Sequence, residues 1–117
     1  MSLLISRLDA ESLSKLLRQG RLARSTSFSL RFSPLPGKKT AIAVIVSKKV
    51  AKSAVERNKL KRRGRELLRA TAPLSPRPHA LALIFHESAS KKTFKELRGE
   101  LITVLSSHGI AEVPTAG

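Results

Sequence analysis

The spacing of apolar residues along this chain changes period several times, and each change marks an element. From Asp9 to Gln19, Leu13, Leu16 and Leu17 fall at helical spacing, and Gly20 follows as a natural stop. Residues 26–32 then alternate. Phe28, Leu30 and Phe32 share one face and Ser27, Ser29 and Arg31 the other, the pattern of a half-buried strand. Pro34, Pro36 and Gly37 make the next stretch a loop. Thr40 to Ser47 is rich in β-branched residues and apolar on both faces, as a central, doubly covered strand would be. Helical periodicity resumes near Ser53 or Ala54 and runs until Pro73, Pro76 and Pro78 impose an extended connector. Ala80 to Phe85 predicts another buried strand. Ser90 is a candidate N-cap for a last helix striped by Phe94, Leu97, Leu101 and Val104 or Leu105. Gly109 onward reads as a frayed tail.

The predicted order is α-β-β-α-β-α, with room for one more short strand. The chain has 117 residues, no internal repeat and no long linker, so it predicts one small α+β domain over residues 1–108 and a flexible tail over 109–117. There is no cysteine, which excludes disulfides and thiolate metal sites. The apolar run Leu3-Leu4-Ile5 ends at once in Ser6 and Arg7, too short for a signal-peptide core, and no stretch approaches a membrane span. These features predict a soluble, cytoplasmic protein without a membrane partner.

Charge changes the picture most in the second helix. Between Arg57 and Arg69, seven of thirteen residues are basic and only Glu66 is acidic. On a helix, Leu60, Gly64, Leu67, Leu68 and Thr71 gather on one face, while Asn58, Arg62, Arg65 and Arg69 form a separate stripe. A merely solvated face would interleave acids for i,i+4 pairing. The whole chain carries a formal +15, so the stripe predicts a polyanion partner. Gly64 on the core face costs about 1 kcal/mol against alanine, and close packing of helix backbone on the sheet is the preferred reason. Lys48 and Lys49, just after a buried strand, would extend the positive surface. Asn58, which both donates and accepts, suits a sugar hydroxyl or base edge; a local hydrogen bond in the first helical turn is an equal alternative.

Catalysis by the chain alone is not expected. Its eight acids lie mostly in predicted helices, as ordinary surface charges, and do not suggest a carboxylate set converging on metal. His79, His86 and His108 are dispersed and fit no ligand spacing. With four Phe and no Tyr or Trp, and those Phe in core-like patterns, affinity should rest on phosphates and shape more than on base stacking.

Val46-Ser47-Lys48-Lys49-Val50, followed by Ala54-Val55-Glu56-Arg57-Asn58-Lys59-Leu60-Lys61-Arg62 and Arg65-Glu66, closely resembles the signature of the bacterial ribonuclease P protein components. A looser resemblance extends over residues 7–106. It implies a small α/β sandwich like the second domain of ribosomal protein S5, with a left-handed βαβ crossover. It also implies a large catalytic RNA as partner, which itself removes the 5′ leader of precursor tRNA with Mg²⁺. The metal would be bound mainly by that RNA, and no DNA partner is expected. Carried over by position, the RNA-binding motif falls on Arg57, Asn58, Lys59, Lys61, Arg62 and Arg65, with Lys48 and Lys49 adjoining and Arg69 continuing the stripe. A leader cleft would involve Leu13, Leu17, Phe28 and Arg31. The chain departs from the family in having Leu13 and Leu17 where rings are usual, Arg31 where a ring often stands, Lys59 in place of an arginine, and His86-Glu87 after a strand where an arginine is common. A structural ribosomal-RNA-binding protein is the alternative.

Overall fold

A computed structural model describes residues 4–37, 39–71 and 77–111. The elements are β1 (Leu4–Arg7), α1 (Ala10–Gln19), β2 (Arg21–Arg24), β3 (Phe28–Pro34), β4 (Lys39–Ile45), α2 (Ala54–Thr71), β5 (His79–Phe85) and α3 (Phe94–Ser107), with a 3-10 helix at Glu87–Lys91. The strands form one five-stranded sheet in the order β1-β4-β5-β3-β2. β4 runs parallel to both β1 and β5, whereas β3 is antiparallel to β5 and β2. Helix α2 is the crossover between the adjacent parallel strands β4 and β5. This is the expected small α/β sandwich.

Strand alternation divides the core. Phe28, Leu30 and Phe32 of β3 join Leu81, Leu83 and Phe85 of β5 in the larger cluster, which receives Leu60, Leu67 and Leu68 of α2 and Leu97, Leu101 and Leu105 of α3. The other sheet face offers mainly alanines, Ala41, Ala80 and Ala82, under Leu8 and Leu16. Helix α1 lies there, its start fixed by Asp9, whose carboxylate accepts from the Ser12 amide at 2.7 Å. No helix among the described residues is long and apolar enough to cross a membrane.

Four expectations need correction. Two short edge strands, β1 and β2, are present where the pattern left room for one. Both owe their existence to pairing with a longer neighbour, so four residues of local sequence carried little signal. The last helix begins after Thr93, not Ser90. Thr93 and Glu96 form a reciprocal capping box, with both bonds at 3.1 Å, while Ser90 sits in the 3-10 helix and donates to the Glu87 carbonyl. The chain does not fray at Gly109. That glycine takes φ +70, which lets the Ile110 amide turn back to the Leu105 carbonyl at 2.8 Å, and Ile110 and Ala111 are buried. Residues 112–117 of the expected tail, with Pro73 and Pro76 of the connector, lie outside the described residues. Finally, β4 is covered on both sides only over its first half: Thr40, Ala41 and Ile42 are buried, whereas Ala43 to Ile45 are half-buried beyond the end of β1.

Candidate nucleic-acid interface

Helix α2 is held to the sheet by the face its apolar spacing defines. Leu60, Gly64, Leu67, Leu68 and Thr71 are its buried residues, as the periodicity predicts. A Cβ on Gly64 would stand 2.6 Å from Val44 Cγ1 and 3.0 Å from Phe85 Cε2, so the glycine is there for close approach of the helix backbone to β4 and β5. The Thr71 hydroxyl is satisfied within the helix, donating to the Leu67 carbonyl at 2.9 Å. At the other end, the Glu56 amide donates to Ser53 Oγ at 3.1 Å, a capping bond.

The polar side of α2 is turned outward. Asn58, Lys59, Arg62 and Arg69 are exposed, and Arg57, Lys61 and Arg65 are half-buried. Lys48 and Lys49 are exposed in a tight turn in which the Val50 and Ala51 amides both return to the Ser47 carbonyl. That turn leads into α2, so lysine loop and helix form one stretch of surface. Arg57 differs from its neighbours: its Nη1 donates to the carbonyls of Ala51 and Lys52.

A residue that the sequence reading did not place in the site joins this surface. At the C-terminal end of β1, a groove of about 260 Å³ is lined by Arg7 together with Lys61, Arg65 and Arg69 of α2 and Leu13 of α1. Four cations from two elements face it, and no carboxylate lines it. Such a concavity favours anions. The signal for Arg7 could come only from knowing that β1 pairs beside β4, because Arg7 is far from α2 in sequence.

The proposed leader residues are split between the two sheet faces. Leu13 and Leu17 are half-buried on the α1 face, packed against the alanine cluster. Arg31 lies on that face too, and its Nη1 donates to the Gly20 carbonyl at 3.0 Å, tying β3 to the end of α1. Phe28 must be removed from this set. It is 1 % exposed and belongs to the core under α2 and α3, because alternation along β3 sends it opposite to Arg31. His86 stands where the family's arginine is common, and its Nε2 lies 2.8 Å from Ser29 Oγ. Among the described residues, no three His, Cys, Asp or Glu side chains are grouped as metal ligands.

Glu100 is not an ordinary surface acid. Its carboxylate accepts from Ser25 Oγ and Ser27 Oγ, each at 2.6 Å, and from the Ser27 amide at 3.2 Å. Burial alone would raise this carboxyl, but the serine hydrogen bonds outweigh it and hold it below its ordinary value. Helix α3 thereby fixes the β2–β3 turn.

The family model for ribonuclease P matches residues 8–109. The chain belongs to the ribonuclease P protein family. The ribonuclease P protein component of Thermus scotoductus is 38 % identical over 96 residues, covering 82 % of this chain and 56 % of that protein. That of Thermus oshimai is 37 % identical over 105 residues, covering 90 % and 66 %. The chain thus spans between half and two thirds of the length of these curated relatives. In fold it is similar to the RNase P protein from Thermotoga maritima, with a TM-score of 0.76 at 22 % identity over 87 % of this chain and 96 % of that one.

Proposed function

We propose that this chain is the protein subunit of ribonuclease P. It binds the catalytic RNA of that enzyme and the 5′ leader of precursor tRNA, and assists the Mg²⁺-dependent cleavage that the RNA performs in the cytoplasm. One observation carries the reading: a helix packed closely on its sheet at Gly64 turns basic side chains outward, beside a lysine loop and a groove lined by Arg7, Lys61, Arg65 and Arg69.

The roles follow from residue type. Arg62, Arg65 and Arg69 offer planar forks for phosphate, and Lys48, Lys49, Lys59 and Lys61 supply point charge. Asn58, exposed at the start of the second turn of α2, is placed to meet a sugar or base edge. Arg7 joins Lys61, Arg65 and Arg69 around the groove. On the opposite sheet face, Leu13, Leu17 and Arg31 give the leader an aliphatic and charged surface in place of stacking rings. In this reading the divalent ion is held mainly by the RNA, and no step of the reaction is assigned to a protein group.

The test is cleavage of precursor tRNA at low Mg²⁺ by a bacterial ribonuclease P RNA, with and without the protein. Cleavage at the mature 5′ end that requires both components is the expected result. Cleavage by the protein alone would reveal a protein active site. Binding without rescue of cleavage would favour a structural RNA-binding role.

A further inference from the structure

The lysine loop is held in place at two points. Ala51 is buried in the larger core cluster, as is Val46 on the other side of the turn. Behind the loop stands Arg57, half-buried one turn into α2. Its Nη1 donates to the Ala51 carbonyl at 3.0 Å and to the Lys52 carbonyl at 2.9 Å, so both hydrogens of that nitrogen are engaged by successive backbone oxygens. Both oxygens belong to the residues that join the Lys48-Lys49 turn to the helix. Arg62 and Arg69, by contrast, are exposed, and neither has such a backbone acceptor among the described residues.

We infer that Arg57 is a positioning residue: it clamps the lysine loop to the first turns of α2 and acts on RNA through Lys48 and Lys49. A guanidinium bridging two carbonyls must surrender them to grip a phosphate with that nitrogen, leaving its own loop unsupported. Kept in place, it presents the two lysines already ordered, which removes part of the entropic cost of immobilising them at an interface. The motif's first arginine therefore works inward and its later arginines outward. This inference rests on the RNA-binding reading above for its effect on RNA, whereas the clamp itself belongs to the free protein.

The experiment has two arms, run on full-length protein at a temperature where every variant is folded by circular dichroism. In the free protein, hydrogen exchange at the Val50 and Ala51 amides should accelerate in Arg57→Ala, while the Leu67 and Leu68 amides keep wild-type rates. Unchanged exchange at Val50 and Ala51 overturns the clamp. In the second arm, Arg57→Ala should weaken binding of a bacterial ribonuclease P RNA roughly tenfold, the middle of the range for coupled residues. In a Lys48→Ala/Lys49→Ala background the same change should cost no more than about twofold, since its effectors are gone. A full loss repeated in that background means that Arg57 touches RNA directly, and the inference fails. A purely structural role would lower the melting temperature without producing this non-additivity. If wild-type protein does not bind the RNA, the functional reading fails while the exchange arm still decides the clamp.

Discussion

The two faces of the sheet are built on different terms. Under α2 and α3, large side chains interdigitate and the helix backbone descends to contact at Gly64. Under α1, the sheet presents alanines and the helix contributes a single fully covered leucine, Leu16, with Leu13 and Leu17 half-buried. The first face is a core whose covering helix turns basic side chains outward on its back. The second is a thin cover whose partly open residues are themselves available for contact. Substitutions on α2 should therefore separate cleanly into those that unfold and those that only unbind, whereas on α1 the two effects should mix.

The largest effect should come from Leu68→Ala, which empties a fully buried position in the thick core and should cost about 2–5 kcal/mol by chemical denaturation. Leu16→Ala should fall at or below the low end of that range, because its alanine floor and half-exposed neighbours can relax around it. Equal losses at the two positions would break the comparison. Next comes Glu100→Ala. It strips the fully buried Ser27 hydroxyl of its acceptor and should cost about 1–3 kcal/mol.

The same carboxylate sets an acid limb. Its folded pKa lies below the ordinary value of 4.5, so its contribution is complete above that pH and is lost as pH falls through the folded value. Glu100→Gln should flatten that limb in melts recorded from neutral to acid pH. A smaller effect is expected of Gly64→Ala. Helix propensity favours alanine by about 1 kcal/mol. The new methyl, however, meets the stiff Val44 side chain at 2.6 Å, and overpacking of that kind costs about 1–3 kcal/mol. The net change should be a lower melting temperature, and a higher one would mean that β4 yields more readily than its neighbours suggest. Least disruptive to the fold is Arg62→Ala on the outward side of α2. Stability should stay within about 0.5 kcal/mol of wild type. The slope of log K for the RNA against log salt should shrink by about one unit, one phosphate contact's worth.

How much of this was legible in the sequence follows from how local each cause is. The faces of α2 and β3 were readable because their periods are carried by neighbouring residues, and Gly64 was conspicuous as a glycine on an apolar stripe. β1 and β2 were not readable, since their strand character comes from Lys39–Ile42 and Ser29–Phe32 across the ladder. The site divides the same way. Lys48, Lys49 and the α2 stripe stand together in one segment. Arg7 enters only through parallel pairing, and Glu100 meets Ser25 and Ser27 across more than seventy residues of chain. The motif named Arg57 but not the direction in which it points, because its two acceptors are backbone oxygens, which every sequence supplies equally.

The position of β5 has a consequence for assembly. It is the middle strand, yet it comes from residues 79–85, after the basic helix is complete in sequence. Without it, β1 with β4 and β2 with β3 are two ribbons with no strand pairing between them, and Leu81, Leu83 and Phe85 are missing from the floor on which α2 rests. As the chain leaves the ribosome, the basic helix emerges before the strand that gives it a domain to stand on.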